Sequence, residues 1–142
     1  MKQPIRVVCV DDNRLLAEAV ERRLSMDRAF EWGGWLAQTD TLMQDVARLR
    51  PDVLLLDIDM PGRDPLELLH ELATQHPDTR VVMFSGYVRR EYVDRAIEAG
   101  AWGYISKNAS IEEVLAAIQQ VAAGEFVLTS EVLAEHRRSR EG

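Results

Sequence analysis

The sequence predicts an α/β fold in which helices cover both faces of a doubly wound, five-stranded parallel sheet. Short apolar runs without alternation recur along the chain, as expected of strands that are buried on both faces. Amphipathic segments with helical spacing separate these runs. The strongest run, Val53–Leu56, leads directly into Asp57, and a Pro61-Gly62 turn signal follows. This alternation indicates right-handed βαβ units around a single core.

Each predicted strand is a short apolar run that a polar residue or a turn signal ends. The second strand is the weakest because Gly33 and Gly34 interrupt it. The fourth ends at Ser85-Gly86, and the fifth ends before Ser106-Lys107. In chain order, the strands are expected at residues 5–10, 30–36, 53–56, 80–84 and 102–105.

Capping signals mark the boundaries of five predicted helices. Asn13 is placed to cap the first helix, and Asp64 precedes Pro65 at the start of the third. Gly100 ends the fourth helix as a C-cap. Ser110 and Glu113 have the spacing of a capping box at the start of the fifth. The helices are expected from residue 15 to residues 25–27, from residue 39 or 40 to 49, from 64 to 72, from 88 to 99 and from 110 to 124.

Composition favours one domain of a cytoplasmic protein. The chain has 142 residues, of which 46% are hydrophobic, and this suffices for a real core. A net charge of −7 argues against general nucleic-acid binding by the chain itself. Cys9 is the one cysteine, so an internal disulfide is excluded. We expect no membrane span and no signal peptide, because no apolar run is long enough and the N-terminus lacks the pattern.

Polar residues collect where four of the predicted strands end: Asp11 with Asp12, then Asp57, Ser85 and Lys107. The carboxyl ends of parallel strands meet at one edge of a sheet, so we expect these side chains to lie together. Three neighbouring acids repel each other, and a hard divalent cation such as Mg²⁺ relieves that repulsion. Lys107 can contact an anion, and Ser85 can donate a hydrogen bond. Phosphoryl transfer needs this combination of groups.

Four motifs lie where the predicted strands end. They are Val10-Asp11-Asp12, Leu56-Asp57-Ile58-Asp59-Met60-Pro61-Gly62, Phe84-Ser85-Gly86 and Gly100-Ala101-Trp102-Gly103-Tyr104-Ile105-Ser106-Lys107. Together they resemble the receiver domain of response regulators in two-component signalling, which implies a flavodoxin-like receiver fold, and the resemblance covers residues 5–123. Residues 103–110 and 121–124 further resemble receivers of the LuxR or NarL type, whose usual output is a helix-turn-helix DNA-binding domain.

The resemblance implies that Asp57 accepts a phosphoryl group from a sensor histidine kinase. Mg²⁺ would be held by the carboxylates of Asp12 and Asp57, by that of Asp11 directly or through water, and by the backbone carbonyl of Asp59. Lys107 would pair with the phosphoryl group. As an additional hypothesis, the Asp59 side chain modulates metal affinity or the lifetime of the phosphate.

The resemblance also implies a switch and an output. Ser85 would move toward the phosphate, and Tyr104 would turn from an outward to an inward rotamer. The signalling surface would consist of the fourth helix, the fifth strand and the fifth helix, and phosphorylation could drive homodimer formation. Transcription would be controlled through a DNA-binding domain that is absent from this chain, so DNA is a partner only through that domain.

Residues 1–124 are therefore predicted to form the receiver domain, and residues 125–142 an irregular tail or the start of an interdomain linker. Alternatives are a single-domain regulator and a phosphorylation-independent protein-binding module. The Asp57-Ile58-Asp59 motif also resembles that of haloacid-dehalogenase-like phosphatases, although their motif normally lies on the first strand and continues with Thr or Val rather than Met60. We therefore predict a phospho-acceptor with at most autodephosphorylation, not an enzyme.

Overall fold

The computed structural model describes residues 3–141, with side chains up to residue 138, and it confirms the doubly wound parallel α/β fold. Its strands follow the spatial order β2-β1-β3-β4-β5-β6, and every neighbouring pair is parallel. None of the described helices has the length and apolar character needed to cross a membrane. The elements are β1 (Ile5–Val10), α1 (Arg14–Ser25), β2 (Phe30–Leu36), α2 (Leu42–Leu49), β3 (Val53–Leu56), α3 (Pro65–Gln75), β4 (Arg80–Ser85), α4 (Arg90–Ala99), β5 (Gly103–Ser106), α5 (Ile111–Ala122), β6 (Val127–Leu128) and α6 (Ser130–Glu141).

The prediction of five strands, five helices and an irregular tail was wrong at the C-terminus. The described chain has six strands and six helices, because β6 extends the sheet beside β5 and α6 follows it. A two-residue strand is too short to be recognised from a sequence pattern. Its order comes from tertiary contacts: the N–H of Thr129 donates to the Tyr104 carbonyl at 3.2 Å, and Val132 of α6 is fully buried.

Alternate residues of the central strands enter two separate core layers. Val7 and Cys9 of β1 face the layer under α1 and α5, while Val8 and Val10 face the layer under α2, α3, α4 and α6. A strand that contributes apolar side chains to both layers must be apolar at every position. The unbroken run of β3 follows from this requirement, since all four of its residues are fully buried.

The helix caps agree with the sequence signals except at one carboxylate. The Asn13 side chain accepts the Leu16 N–H at 3.1 Å, and Ser110 Oγ accepts the Glu113 N–H at 3.1 Å. The reciprocal half of the predicted capping box is not formed. The Glu113 carboxylate instead accepts the N–H and the hydroxyl of Ser130, at 2.9 and 2.5 Å. It thereby ties the start of α6 to the start of α5.

The two glycines of β2 form a β-bulge. Val7 pairs with Trp32 and Val8 pairs with Gly34, so Gly33 is the extra residue of the longer strand. A Cβ atom at Gly33 would lie 2.8 Å from Cγ2 of Val8, so only glycine fits without a shift. The interruption of the second strand by Gly33 and Gly34 is therefore a specific feature of the β1–β2 pairing.

Strand β1 lies between β2 and β3 in the sheet. The chain first adds β2 on one side of β1 and then crosses back to add β3 on the other side, so the direction of strand addition reverses at β1. In open α/β sheets, ligands bind beyond the carboxyl ends of the strands at such a reversal. Asp11 and Asp57 directly follow β1 and β3 at this point. Their backbone N–H groups are fixed by the sheet, because Asp57 donates to Val10 and Asp11 donates to Leu36, both at 3.0 Å.

Candidate functional site

Three carboxylates meet at the reversal in the sheet. Each of Asp11, Asp12 and Asp57 offers an oxygen, and these oxygens all lie within 4.8 Å of one another. Asp11 is 1% exposed and Asp57 is 4% exposed, whereas Asp12 is exposed. Two buried carboxylates at this distance are costly unless cations compensate them. The cluster therefore has two buried members and one side open to solvent.

Lys107 supplies one compensating charge. Its Nζ atom lies 2.8 Å from Oδ2 of Asp11 and 3.1 Å from Oδ2 of Asp57. The backbone holds this lysine in place, since its N–H donates to the Ser85 carbonyl at 3.0 Å. Burial alone would lower the pKa of Lys107, but hydrogen bonds and charges from both carboxylates outweigh burial and raise it. Lys107 is thus a fixed cation between the two buried acids.

The surroundings of Asp57 shift the pKa of its carboxyl group upward. Burial raises the pKa of its carboxyl group and the charge of Asp11 adds to this, while Lys107 and the Asp59 N–H only partly oppose the increase. A divalent cation beside the carboxylates would favour their charged forms. Oxygen donors with an open side suit a hard cation that keeps some of its water, such as Mg²⁺. The residues present therefore fit a divalent metal site.

Asp59 contributes to this site through its backbone. Its N–H donates to Oδ1 of Asp57 at 3.4 Å, and its side chain is exposed. The cluster of three carboxylates does not include that of Asp59. Metal binding by the Asp59 carbonyl and modulation by its side chain both stay predictions.

The two predicted switch residues lie beside the site and share a partner, Tyr87. Ser85 is fully buried, and its Oγ accepts the Tyr87 N–H at 3.0 Å. Tyr104 is 1% exposed, and its hydroxyl donates to the Tyr87 carbonyl. Burial raises the pKa of Tyr104 to about 12, although a hydrogen bond with Ser85 opposes the increase. Tyr104 is inward here, and its movement stays a prediction.

Two residues that border the site were not identified from the sequence. The Trp35 indole N–H donates to the Asp11 carbonyl at 2.6 Å. The Thr39 hydroxyl, fully buried, donates to the Arg63 carbonyl at 2.7 Å and so fixes the loop after Asp57. Glycines inside a strand are a signal of a bulge, and this signal, which was not interpreted from the sequence, could have indicated the region of Trp35. No local pattern points to Thr39.

The C-terminal segment contacts the residues on either side of Lys107, which directly follows β5. The Ser106 N–H donates to Oγ1 of Thr129 at 3.0 Å, and the Ser106 hydroxyl donates to the Glu131 carboxylate at 2.6 Å. The Asn108 side chain donates to the same carboxylate at 3.2 Å. The residues on both sides of Lys107 are therefore bonded to the start of α6.

Residues 7–119, most of the chain, match the family described as Response regulator receiver domain. The chain belongs to this family. The receiver is 34% identical over 128 residues to the nitrate/nitrite response regulator protein NarL of Escherichia coli K12, covering 90% of this chain and 59% of that protein. The resemblance to LuxR- or NarL-type receivers is thereby confirmed.

Solved structures agree with the fold of the receiver. The signal receiver domain of the putative response regulator NarL from Mycobacterium tuberculosis superposes with a TM-score of 0.82 at 29% identity, covering 87% of this chain and all of that one. A LuxR-family response regulator from Aurantimonas superposes with a TM-score of 0.91 at 22% identity, covering 98% of this chain and 99% of that chain.

The receiver is shorter than its curated relatives. It spans between 58% and 60% of the length of the DegU, GacA and NarL proteins that it matches. The relative DegU of Brevibacillus brevis is described as a transcriptional regulatory protein. The family match gives no support to the haloacid-dehalogenase-like alternative.

Proposed function

We propose that this receiver accepts a phosphoryl group on Asp57 from a sensor histidine kinase, in a reaction that requires Mg²⁺. One observation carries the proposal: Lys107 contacts both Asp11 and Asp57, and the exposed Asp12 completes a cluster of three acids within 4.8 Å. A nucleophile, a cation and a divalent metal site thus share the carboxyl edge of the sheet. Phosphoryl transfer depends mainly on such positioning and charge neutralisation.

The proposed transfer forms one bond and breaks another. A carboxylate oxygen of Asp57 attacks the phosphorus of the kinase phosphohistidine, and the P–N bond breaks. The electron pair of that bond stays on the imidazole nitrogen, which takes up a proton, and Asp57 becomes an acyl phosphate. Lys107 then exchanges its contact with Asp57 for a phosphoryl oxygen. When bound, Mg²⁺ supplies charge neutralisation at the phosphoryl oxygens.

The receiver acts in this proposal as a signal transducer without turnover of an external substrate. Attack of water on the acyl phosphate releases inorganic phosphate and restores Asp57, which is autodephosphorylation. Ser85 and Tyr104 convert the phosphorylated state into a change at the surface of α4, β5 and α5. The Tyr87 backbone, which bonds both side chains, offers a direct connection from that switch to the start of α4.

The output that we propose, control of transcription, is inferred from the relatives. Phosphorylation would control transcription in the cytoplasm through a DNA-binding domain outside this chain, with homodimer formation as one consequence. Residues 1–124 would be the receiver proper, and residues 125–142 the start of an interdomain linker. The bonds of Thr129 and Glu131 to Ser106 support this proposal, because they give the segment after residue 124 a contact next to Lys107 through which the state of the site would affect it.

The test is the intact mass of the protein after incubation with Mg²⁺ and acetyl phosphate, compared with Asp57→Asn. We expect a single phosphate adduct that requires both Mg²⁺ and Asp57. The matched control is Asp59→Asn, which removes the neighbouring exposed carboxylate and should retain the adduct. Size exclusion of the same samples reports whether the adduct causes dimerisation.

Two results would contradict the proposal. A folded protein that forms no adduct in the presence of Mg²⁺ would point to a phosphorylation-independent binding module. Turnover of a generic phosphomonoester, measured on the same preparation, would point to a phosphatase.

A further inference from the structure

One tryptophan of β2 contacts the acidic site. The Trp35 indole N–H donates a hydrogen bond of 2.6 Å to the backbone carbonyl of Asp11. That carbonyl belongs to the peptide that joins Asp11 to Asp12, two of the three clustered carboxylates. The side chain of a neighbouring strand therefore bonds the peptide that carries two of the proposed metal ligands.

The β-bulge is what brings Trp35 to this position. In a regular strand, two residues that are three positions apart face opposite sides of the sheet. The extra residue Gly33 shifts the alternation, so Trp32 and Trp35 both pack against the core layer under α1 and α5. The same shift places the Trp35 indole beside the end of β1. The two glycines thus have a consequence for the site and not only for the sheet.

With this bond, three polar groups of Asp11 are hydrogen-bonded, and the fourth, Oδ2, is held by an ion pair. Its N–H donates to the Leu36 carbonyl at 3.0 Å, its Oδ1 accepts the Asn13 N–H at 2.9 Å, and its Oδ2 lies 2.8 Å from Nζ of Lys107. Trp35 supplies the partner for the remaining group, the carbonyl. Both the side chain and the following peptide of Asp11 are consequently held in one orientation.

We infer that Trp35 is a positioning residue for the divalent-cation site. It fixes the Asp11-Asp12 peptide in an orientation that lets both carboxylates bind the same cation. The inference rests on the proposed function, which assigns Mg²⁺ to this site. Groups that hydrogen-bond the ligands of a metal orient them, and their loss typically weakens metal binding 10- to 100-fold. Trp35 bonds the ligands' backbone rather than their carboxylates, so we expect a loss near the lower limit, about 10-fold.

The first test compares Trp35→Phe with Trp32→Phe. Both tryptophans are half-buried on the same face of β2, and within the described residues only Trp35 donates its indole N–H to the site. The dependence of the melting temperature on Mg²⁺ concentration, followed by circular dichroism, gives an apparent dissociation constant for each protein. Trp35→Phe should weaken Mg²⁺ binding about 10-fold, and Trp32→Phe should keep the wild-type constant.

The second test needs no change at Trp35 and so avoids any effect of the substitution on folding. The chain has three tryptophans, and ¹⁵N labelling of their indoles gives three N–H resonances. Trp32→Phe and Trp102→Phe identify two of these, and the third belongs to Trp35. Addition of Mg²⁺ to the wild-type chain should shift the Trp35 resonance with the dissociation constant found by melting.

Different results would overturn different claims. The inference alone fails if the wild-type chain binds Mg²⁺ while the Trp35 resonance does not move, or if Trp35→Phe binds Mg²⁺ as the wild type does. Equal weakening by Trp35→Phe and Trp32→Phe would also overturn it, because packing of the bulge and not the hydrogen bond would then be responsible. A wild-type chain that binds no Mg²⁺ in either measurement would overturn the proposed function and this inference together.

Discussion

Thr129 accepts a hydrogen bond of 3.0 Å from the backbone N–H of Ser106, the residue before Lys107. Both residues are buried: Ser106 is fully buried and Thr129 is 3% exposed. The bond joins the end of β5, at the acidic site, to the segment that begins α6. The C-terminal segment is thereby part of the folded unit, and its contacts can be tested by their effect on stability.

Replacement of Thr129 by valine should destabilise the protein by about 1–3 kcal/mol. Valine has nearly the same shape but leaves the buried Ser106 N–H without an acceptor. The free energy of unfolding, measured by urea denaturation, checks this expectation. Thr74→Val is the matched control because the Thr74 hydroxyl bonds the His70 carbonyl on an exposed helix face, and it should change stability by less than about 0.5 kcal/mol. Equal losses of unfolding free energy in Thr129→Val and Thr74→Val would contradict the prediction.

The bonds between Glu113 and Ser130 predict a dependence of stability on pH. The Ser130 hydroxyl and N–H lower the pKa of the Glu113 carboxyl group below its ordinary value of 4.5. A carboxyl group whose pKa is lower in the folded state stabilises the fold above its unfolded pKa, and this stabilisation is lost as the pH falls through the folded pKa. The advantage of the wild type over Glu113→Gln should therefore be greatest near neutral pH and shrink below pH 4.5.

Urea denaturation of both proteins between neutral and acidic pH measures this difference. Glu112→Gln is the control, because Glu112 is an exposed acid in the same first turn of α5 that does not bond Ser130. A difference between wild type and Glu113→Gln that stays constant with pH would show that the Ser130 bonds do not depend on the charge.

Substitutions at Asp12 and Asp59 should distinguish a carboxylate that binds the metal from a carboxylate that only lies near it. Free Mg²⁺ at 100 times its dissociation constant should stabilise the wild type by about 2.7 kcal/mol. Asp12→Ala should lose most of this gain, since Asp12 belongs to the three-acid cluster. Asp59→Ala should retain it, because the proposed contact of Asp59 is its backbone carbonyl.

Thermal unfolding with Mg²⁺ and with excess EDTA measures this gain. Without the metal, Asp12→Ala should leave stability within about 0.5 kcal/mol of the wild type, because the Asp12 side chain is exposed. Loss of the Mg²⁺ effect in Asp59→Ala but not in Asp12→Ala would reverse the proposed assignment of ligands.

The inward Tyr104 should ionise in a late phase of an alkaline titration. Burial raises the pKa of its hydroxyl from 10.0 to about 12. Because the folded pKa is the higher one, the unfolded state loses its proton first, and Tyr104 reduces stability as the pH rises above 10.0. Absorbance at the tyrosinate band should show a late phase that Tyr104→Phe removes. Tyr87→Phe should retain that phase, since only the Tyr87 backbone bonds Tyr104.

The prediction from sequence was most accurate where the burial and position of a residue depend only on the strand to which it belongs. Four consecutive apolar residues in β3 require burial on both faces, and parallel strands bring Asp57 to the same edge as Asp11. The pattern was insufficient where order comes from a partner elsewhere in the chain. Strand β6 has two residues, and Thr129 and Glu131 are polar, so nothing local indicates that they bond Ser106.

The capping box shows the same limit within a correct prediction. Ser110 and Glu113 have the spacing of a reciprocal pair, and Ser110 does cap α5. The Glu113 carboxylate nevertheless bonds Ser130, because the start of α6 offers it two donors in place of one. A spacing rule specifies which bond is available locally, and tertiary packing decides between that bond and a competing one.

The sequence by itself determined the order of the first five strands and five helices and the identity of the acids and the lysine at the active edge. These follow from local apolar patterns and from the rule that parallel strands end together. Only the tertiary structure decided that Lys107 contacts both buried acids, that Tyr104 is inward, and that Trp35 holds the Asp11 carbonyl. The physical reason is that each of these contacts joins residues on different elements, whose geometry depends on bulges, packing and competing hydrogen bonds that no local pattern records.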